Sequence, residues 1–295
     1  MPNVIHEQVL QKMTEKRTPE DVTILPRDIK FNVDAAKGTH WMGNDPVGTA
    51  IMNSLSLTFP DGERMFMDAV KAYRNDVDGK LKDDVRDFIR QEAIHSREHH
   101  LLNQLIDHDK YPVEDIEASI RERVKLGYDG GPMRMLIATI CLEHMTAMMA
   151  DLMIDQAAMF ENTDPAIVAL WRWHAMEETE HKAVAYDVFL EVTKHWSPFK
   201  RYMRRCISML IIGSNFTKNI ASYATMMLVA EGWDEKKAQK AVKRYLWKEP
   251  NLFGKDLGIF FSWFKPGFHP WDHDNRELLL QIDSFLAEQE AAASA

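Results

Sequence analysis

The sequence predicts an all-α protein: a ferritin-like four-helix bundle core with extra C-terminal helices and an irregular N-terminal arm. Three observations support this fold class. Apolar residues recur at helical spacing in several long segments, whereas strand-like alternation is scarce. Pro132 and Pro165 each stand where a long apolar segment begins, a position that favours proline in helices. Glutamates and histidines lie on the apolar faces of four segments, which favours a bundle.

Composition limits the class of function and the location. The chain has 295 residues, enough for one large domain with a sizeable core, and its formal net charge of -9 argues against a nucleic-acid partner. Two cysteines, Cys141 and Cys206, are too few for a disulfide framework and fit a reducing cytoplasm. The first residues lack the apolar region of a signal peptide. We expect a cytoplasmic protein.

No uninterrupted apolar run approaches the ~20 residues of a spanning helix. The nearest candidate, residues 206–229, is interrupted by the polar residues Asn215, Lys218 and Asn219. The protein should therefore not span a membrane, although contact at the periphery of one is compatible with the sequence.

The predicted elements follow in chain order. Residues 1–50 form the irregular arm, and residues 51–285 form a single helical domain that carries two metal ions, as argued below. Pro60, Asp61 and Glu63 predict the start of the first helix. The second runs from about Leu81 to Asp107, the third begins at Pro132, and the fourth spans about Ala166 to His195. The third is so apolar that it should be central.

The C-terminal part adds three further helices. The fifth helix follows a basic stretch and extends to about Ala230, and "DEKKAQKAVKRYLW" predicts the sixth. Residues 251–275, rich in glycine and aromatic residues, should wrap back onto the body. Residues 276–290 predict a final helix.

Charged residues lie on the inward faces of four of these helices. On the fourth, His174, Glu178 and His181 share one stripe with apolar residues, while Glu180 points to the opposite side and Glu177 lies at the edge. On the second, Glu92 and His95 form an i, i+3 pair, and His99 follows one turn on. Glu143 lies in the apolar third helix, and Glu63 precedes Phe66 by one turn in the first.

Together these are one glutamate on each of two helices and a Glu-x-x-His pair on each of the other two. In a four-helix bundle this pattern forms a carboxylate site for two metal ions. Two divalent cations bring roughly +4 of charge, which four carboxylates offset, whereas an unpaired buried glutamate would cost several kcal/mol. We predict two iron ions, with manganese or zinc as alternatives. The predicted ligands are Glu63, Glu92, His95, Glu143, His174, Glu178 and His181.

Two further histidines extend the pattern of four glutamates and two histidines. His174 lies one turn before Glu178, and we expect it to reach the metal ion that His181 binds. His99 is either an extra ligand or a residue that orients one. His100 and His144 lie off the stripes and are interpreted as surface or packing residues.

Simpler interpretations exist for each residue alone. A single Glu-x-x-His pair is common on solvated helix faces, Glu143 could pair with Arg134, and Glu63 could be a first-turn carboxylate favoured by the helix dipole. The two pairs in order, with glutamates on the other two helices, favour the metal site over these alternatives.

The chain also resembles a known family. The segments "LSLTFPDGERMFM", "FIRQEAIHSREHH", "CLEHMTAMMA", "WHAMEETEHKAVAYDVF" and "HPWDHD", within about residues 40–275, are similar to bacterial proteins described as predicted metal-dependent hydrolases. The ligand order is also similar to that of di-iron arylamine N-oxygenases, whose last helix carries His-x-x-x-Glu-x-x-His. That resemblance implies the same seven ligands but does not extend to the substrate.

Three functions compete. The first is a di-iron oxidase or oxygenase, the second a dinuclear metal-dependent hydrolase, and the third a non-catalytic metal-binding protein. We favour the first, with no catalytic residue assigned beyond the metal centre and an electron donor as a further partner. A homodimer is also compatible with the sequence.

An apolar lining predicts a small hydrophobic substrate such as a fatty acyl chain; it comprises Phe88, Met135, Ile140, Met148 and Trp171. A basic group before the fifth helix could bind a carboxylate head group or an anionic membrane surface, or form a solvated face. It comprises Lys200, Arg201, Arg204 and Arg205.

Overall fold

Nine α-helices with defined bounds at both ends, and no β-strand, are present in the part of the chain that the structure describes. The structure is a computed structural model, which describes residues 17–38, 40–155, 157–255, 257–281 and 284–285. The helices are α1 (Pro46–Lys71), α2 (Gly79–Asn103), α3 (Val113–Asp129), α4 (Pro132–Asp155), α5 (Pro165–His181), α6 (Val184–Val192), α7 (Pro198–Ala230), α8 (Glu235–Trp247) and α9 (Leu257–Ser262). The all-α class is confirmed.

The four helices that carry the predicted ligands form a closed ring. Helix α1 packs along α2, α4 packs along α5, and the ring closes through contacts of α1 with α4 and of α2 with α5. Helix α7 covers α1 and α4, and α8 packs on α7 and α1. This arrangement brings four helix faces to one interior. The closer relation to the ferritin fold stays a prediction.

The first helix begins earlier than predicted. It starts at Pro46, where the side chain of Asp45 accepts a hydrogen bond from the backbone N–H of Val47, and Pro60 lies inside it. The prediction of a start near Pro60 was wrong because residues 48–57 and 59 are buried, and their packing extends the helix toward its N-terminus. Glu63 is therefore a mid-helix residue and not a first-turn carboxylate.

Pro60 costs α1 one backbone hydrogen bond, and α2 supplies a substitute. A proline has no N–H, so the carbonyl of Ser56, four residues earlier, loses its helical partner. The amide Nδ2 of Asn103 donates to that carbonyl at 3.0 Å, and the Ser56 hydroxyl donates to Asn103 Oδ1 at 2.6 Å. This paired contact fixes α1 against α2 about two turns from the predicted ligands Glu63 and His95.

Two further features differ from the prediction. The sequence did not predict the amphipathic helix α3, which buries Val113, Ile116 and Ile120 on one face. The predicted fourth helix is two helices, since α5 ends at His181 and α6 begins at Val184. No glycine or proline marks this break. The ammonium of the intervening Lys182 donates instead to the carbonyl of His273 and to Asn275 Oδ1, a tertiary contact.

Helix α4 is the core helix that its composition predicted. Among the described helices it alone is long and apolar enough to cross a membrane, and 78% of its most apolar window is buried inside the protein. The nearest candidate from the sequence, residues 206–229, lies in α7 and does not meet that test. Burial of this kind is typical of the core helix of a protein. The length and composition of α4 are therefore only weak evidence for a membrane span.

The chain ends pack against the bundle as irregular segments. The described part of the arm, residues 17–38 and 40–45, contains one 3-10 turn, Asp34–Ala36, and buries Trp41 and Met42. In the C-terminal segment Trp263 is fully buried and the hydroxyl of Tyr186 donates to the carbonyl of Phe268. Residues 276–281 and 284–285 are helical, and the rest of the predicted final helix lies outside the described residues, as does the arm before residue 17.

Candidate metal centre

All seven predicted ligands come together inside the helix ring, and each is at most 4% exposed. Glu63 comes from α1, Glu92 and His95 from α2, and Glu143 from α4. The remaining three, His174, Glu178 and His181, come from α5. Helical spacing placed each residue on an inward face, and the packing of the four helices brings those faces to one point.

The side chains form two groups of three, each of which can hold a metal ion. The first, called here the His-rich triad, consists of Glu63, His95 and His174; the second, the Glu-rich triad, consists of Glu92, Glu143 and His181. In each group one donor atom per residue lies within 4.8 Å of the others. A third group, Glu92, His95 and Glu178, shares members with both triads and links them.

His174 belongs to the other half of the centre from the one predicted. We expected it beside the metal ion of His181, but it groups with Glu63 and His95. Its Nε2 lies 3.6 Å from Glu63 Oε1, and its Nδ1 faces His99. Helical spacing on α5 gives only the shared stripe, whereas the opposing helix decides which partners each residue meets.

Glu178 occupies the middle of the centre. Its Oε1 lies 2.9 Å from His174 Nε2, 3.5 Å from His181 Nε2 and 3.8 Å from His95 Nδ1. Glu92 is similarly shared, with Oε1 3.2 Å from His181 Nε2 and Oε2 3.9 Å from His95 Nδ1. These two carboxylates can each reach both triads, as bridging ligands of two metal ions do.

Each histidine uses one ring nitrogen toward the carboxylates and has the other held from outside. His95 Nε2 lies 3.0 Å from Glu177 Oε2, His181 Nδ1 lies 2.9 Å from Gln91 Oε1, and His174 Nδ1 lies 2.7 Å from His99 Nε2. Such contacts fix the orientation of the ring and its tautomer, and so prepare the other nitrogen for a metal ion.

The outer partners form a network that the sequence did not reveal. Arg27, in the N-terminal arm, donates to Glu177 Oε1 at 3.1 Å and to Glu180 Oε1 at 2.7 Å. Glu180 in turn accepts from Gln91 Nε2 at 2.7 Å. Glu177 and Glu180 are both buried beside the centre, although helical spacing placed Glu180 on the opposite side of α5 from the ligands. Arg27 lies in an irregular segment, where no periodic pattern could have identified it.

His99 supports His174 in the described structure. Its Nε2 faces His174, and its Nδ1 lies 2.9 Å from the hydroxyl of Ser56. It belongs to none of the three groups. Of its two predicted roles, the geometry favours the orienting one. On α1, the hydroxyl of Ser96 from α2 likewise donates to Glu63 Oε2 at 2.8 Å.

Burial shifts the protonation equilibria of these groups strongly. Desolvation, together with neighbouring carboxylates, raises the pKa of Glu63, Glu92 and Glu143 well above the usual range. Burial opposes ionisation of Glu178 too, but the charge of His181 and the contact with His174 bring its pKa well below the usual value. Without a cation the centre therefore tends to retain protons on three of its four glutamates.

The histidines divide in the same way. Burial and the neighbouring His174 lower the pKa of His95 well below its usual value. Although burial opposes it, the carboxylates of Glu178 and Glu143 raise the pKa of His181 to about 9. A metal ion at either triad replaces these protons, since a ligand must present a free lone pair.

The donor set fits metal ions because its inward atoms have no other partner. Eight buried atoms of the predicted ligands have no hydrogen-bond partner among the described residues. They are Glu63 Oε1, both oxygens of Glu92, both of Glu143, Glu178 Oε2, His95 Nδ1 and His181 Nε2. Buried polar atoms are normally satisfied, and unsatisfied groups cost about 1–3 kcal/mol each. A pair of cations bound by these atoms removes the cost.

An apolar cavity of about 680 Å³ adjoins the centre at Glu63. Its wall also includes Phe59, whose ring lies 4.7 Å from that of His174. None of the five apolar residues predicted to line a substrate site is in this wall. Phe88 and Trp171 pack instead on the rings of His181 and His99, and Met145 and Met148 line a second cavity of about 900 Å³ that contains none of the ligands.

The predicted basic group of residues 200–205 does not act as one site. Arg205 is buried, and its guanidinium donates to the hydroxyl of Tyr186 and to the carbonyl of Lys265. The ammonium of Lys200 lies over the ring of Trp196. Only Arg204 lies in the wall of the cavity next to the centre. The prediction was wrong for Arg205 because tertiary contacts, and not solvent, surround its face of α7.

Comparison with known proteins gives one match. A family with the description "Predicted metal-dependent hydrolase" matches residues 25–274. No curated protein and no solved structure matches the chain significantly.

Proposed function

We propose that this chain, which belongs to the family of predicted metal-dependent hydrolases, is a di-iron enzyme that uses O2 to oxidise a hydrophobic substrate. The observation that carries the proposal is the pair of triads with Glu178 between them, where four carboxylates and three imidazoles converge with no cysteine. Mixed carboxylate and imidazole donors suit iron that changes oxidation state. When bound, two iron ions would supply electron transfer to O2, which no side chain of the centre can perform.

The residues of the chain would bind and shield the ions. The four glutamates offset roughly +4 of cationic charge, and the bonds of Glu177, Gln91 and His99 hold the three imidazoles in fixed orientations. Phe88 packs edge-on against His181, and Trp173 against His95. These rings exclude water from the far side of the centre, so a substrate would approach from the cavity beside Glu63.

A hydrolase is the second candidate, and the family description favours it. In that case zinc or manganese would lower the pKa of a water molecule at the same site, and the water would attack an ester or phosphoester. The same seven ligands serve both functions. The two candidates therefore differ in the metal ion and the co-substrate and not in the positions of side chains.

The test begins with metal content. Protein purified without added metal, and protein reconstituted anaerobically with ferrous iron, should each contain about two metal ions per chain, mostly iron in the first case. Mixing the ferrous protein with O2 should consume O2 and produce near-ultraviolet absorbance of ferric iron. Clearly sub-stoichiometric iron after reconstitution would contradict a dinuclear centre.

Hydrolysis gives the contrasting result. If the iron form does not react with O2 while a zinc or manganese form hydrolyses simple esters, the second candidate replaces the first. If neither form reacts although two ions bind, the non-catalytic alternative gains support. An electron donor, a homodimer, a cytoplasmic location and contact with a membrane surface remain parts of the proposal.

A further inference from the structure

The cavity beside Glu63 combines an apolar interior with a positively charged opening. Among its lining residues the charged side chains are Arg123 on α3, Arg134 on α4 and Arg204 on α7, all exposed, and the buried Glu63. The larger cavity mixes both signs, with Lys218, Lys243 and Glu235 in its wall. The cavity at the metal centre therefore differs from its neighbour in that all of its exposed charged side chains are positive.

The three arginines are available to a ligand. Within the described part of the chain none of them forms an ion pair with a carboxylate, and the single contact of Arg123 is a long hydrogen bond from Nε to the hydroxyl of Tyr223 at 3.4 Å. Arg121, on the same helix but not in the wall, is by contrast paired with Glu117. Guanidinium groups bind carboxylates and phosphates through paired, charge-assisted hydrogen bonds.

Between the arginines and the centre the wall is apolar. On α4 the lining runs from Arg134 through Ile137 and Ala138 to Leu142, next to Glu143, over roughly 12 Å at 1.5 Å per residue. On α7, Ile207 and Ile211 line the same cavity and are 47% and 57% exposed, which is unusual for isoleucine. An apolar path thus connects the charged surface with Glu63.

We infer that this cavity binds an unbranched apolar chain with one anionic head group, such as a long-chain carboxylate. The head group contacts Arg123, Arg134 and Arg204, and the chain extends along α4 and α7 toward Glu63. The volume of about 680 Å³ lies within the roughly 300–1,000 Å³ of small-molecule sites. This inference rests on the proposed function, since it names the substrate class for the same centre.

The inference also predicts which part of the ligand meets the metal centre. With the head group at the exposed arginines, the part of the ligand near Glu63 belongs to the hydrocarbon chain and lies far from the carboxylate. A short acid such as butyrate cannot span the wall between Arg134 and Leu142, so affinity should increase with chain length. Each added buried methylene contributes free energy until the cavity is filled.

Calorimetric titration of the metal-loaded protein under argon tests the head group. Dodecanoate should bind. Dodecanol and dodecylamine should bind at least about tenfold more weakly, since they lose a charge-assisted contact. The double substitution Arg134→Gln, Arg204→Gln should weaken dodecanoate binding by about tenfold and leave dodecanol unchanged. Arg121→Gln is the matched control on an exposed, paired arginine and should change nothing.

A second pair of variants tests the position of the chain. Gly62 lines the cavity, and a Cβ added there meets no atom within 4 Å, so Gly62→Leu should fold normally and fill the space. It should abolish binding of both dodecanoate and dodecanol. Ser222→Leu places the same side chain in the larger cavity, where Ser222 is exposed, and should leave binding unchanged. Circular dichroism confirms that each variant is folded.

The outcomes separate this inference from the proposed function. Unchanged dodecanoate affinity in the double arginine variant overturns the inference, as does loss of binding in Ser222→Leu but not in Gly62→Leu. Metal content is measured on the same samples. A protein with about two iron ions that does not bind dodecanoate retains the proposed function without this substrate class. A protein that binds dodecanoate but no metal loses the proposed function alone.

Discussion

The two halves of the metal centre are built differently. In the His-rich triad every ligand has a partner outside the centre: Ser96 for Glu63, Glu177 for His95 and His99 for His174. In the Glu-rich triad only His181 has one, Gln91, while both oxygens of Glu92 and of Glu143 have no hydrogen-bond partner in the described residues. The protein holds the side chains of one half in place, whereas those of the other half would depend on a bound ion.

Position in the fold adds to this difference. Glu63 of the His-rich triad lies in the wall of the apolar cavity, whereas Phe88 covers His181 of the Glu-rich triad. The half that faces the cavity is thus the half with the fixed side chains. Because outer partners already orient these ligand side chains, the side chains need to rearrange less when a substrate or an ion exchanges. The enclosed half, with two carboxylates, is suited to retaining its ion through charge.

The largest expected effect comes from removing one carboxylate from each half. Glu63→Ala and Glu143→Ala should each reduce the metal content from about two ions per chain to about one. In the metal-free state Glu63→Ala should be about 1 kcal/mol less stable than Glu143→Ala, because only Glu63 accepts a hydrogen bond, from Ser96. Elemental analysis and thermal unfolding measure the two effects.

Glu98 supplies the control for this pair. It is a buried glutamate on α2 that accepts from Arg97 and from the backbone of Phe31 and belongs to no metal-binding group. Glu98→Gln should retain about two ions. Loss of both ions in either alanine variant would show that the centre does not divide into two halves.

A smaller effect is expected at His174, the extra histidine of the His-rich triad. His174→Ala and His174→Phe should both weaken binding of one ion and change the reaction with O2, while helix content stays the same. A ligand cannot be replaced by a phenyl group, whereas a packed core histidine could be. The ferric absorbance and the metal content at limiting iron are the measurements.

His144 is the matched control for His174. It is buried and packs between Trp263 and Phe268, outside the three groups, so His144→Phe should keep both ions. If His174→Ala instead costs a few kcal/mol of unfolding free energy through a cavity, with metal content and spectrum unchanged, His174 belongs to the core and not to the centre.

The smallest expected effect concerns the outer partners. Burial raises the pKa of Glu177 to about 7 although Arg27 opposes the shift, and its carboxylate holds the ring of His95. Glu177→Gln should weaken one ion in the His-rich triad about tenfold, and Gln91→Leu should do the same in the Glu-rich triad. Cobalt titration followed by visible absorbance resolves the two ions. Equal affinities in both variants and in the wild-type protein would assign these residues to packing alone.

Much of the centre could be predicted from local spacing. Glu92 with His95 and Glu178 with His181 are three residues apart, so a helix alone places each pair on one face. The apolar character of α4 marked Glu143 as buried. The ligation by all seven residues stays a prediction that metal analysis tests, but their meeting in one place follows from the packing of four predicted helices.

Other features could not be predicted because they depend on contacts between distant segments. The break after His181 results from packing against the C-terminal segment, and local propensity does not encode it. The start of α1 does carry a local signal, the capping Asp45 followed by Pro46, which the prediction of a start near Pro60 missed. Arg27 reaches Glu177 from 150 residues away along the chain. Arg205 is basic in sequence, yet it is buried by Tyr186 and Phe268.

The sequence by itself determined the all-α class and the identity of the inward polar residues, because helical periodicity is a local property with a fixed repeat. Only the tertiary structure decided how those residues divide into two triads, that His174 faces Glu63 and His95, and that a cavity lined by three exposed arginines opens at Glu63. These outcomes depend on the rotation and separation of neighbouring helices, which are set by the packing of the whole core.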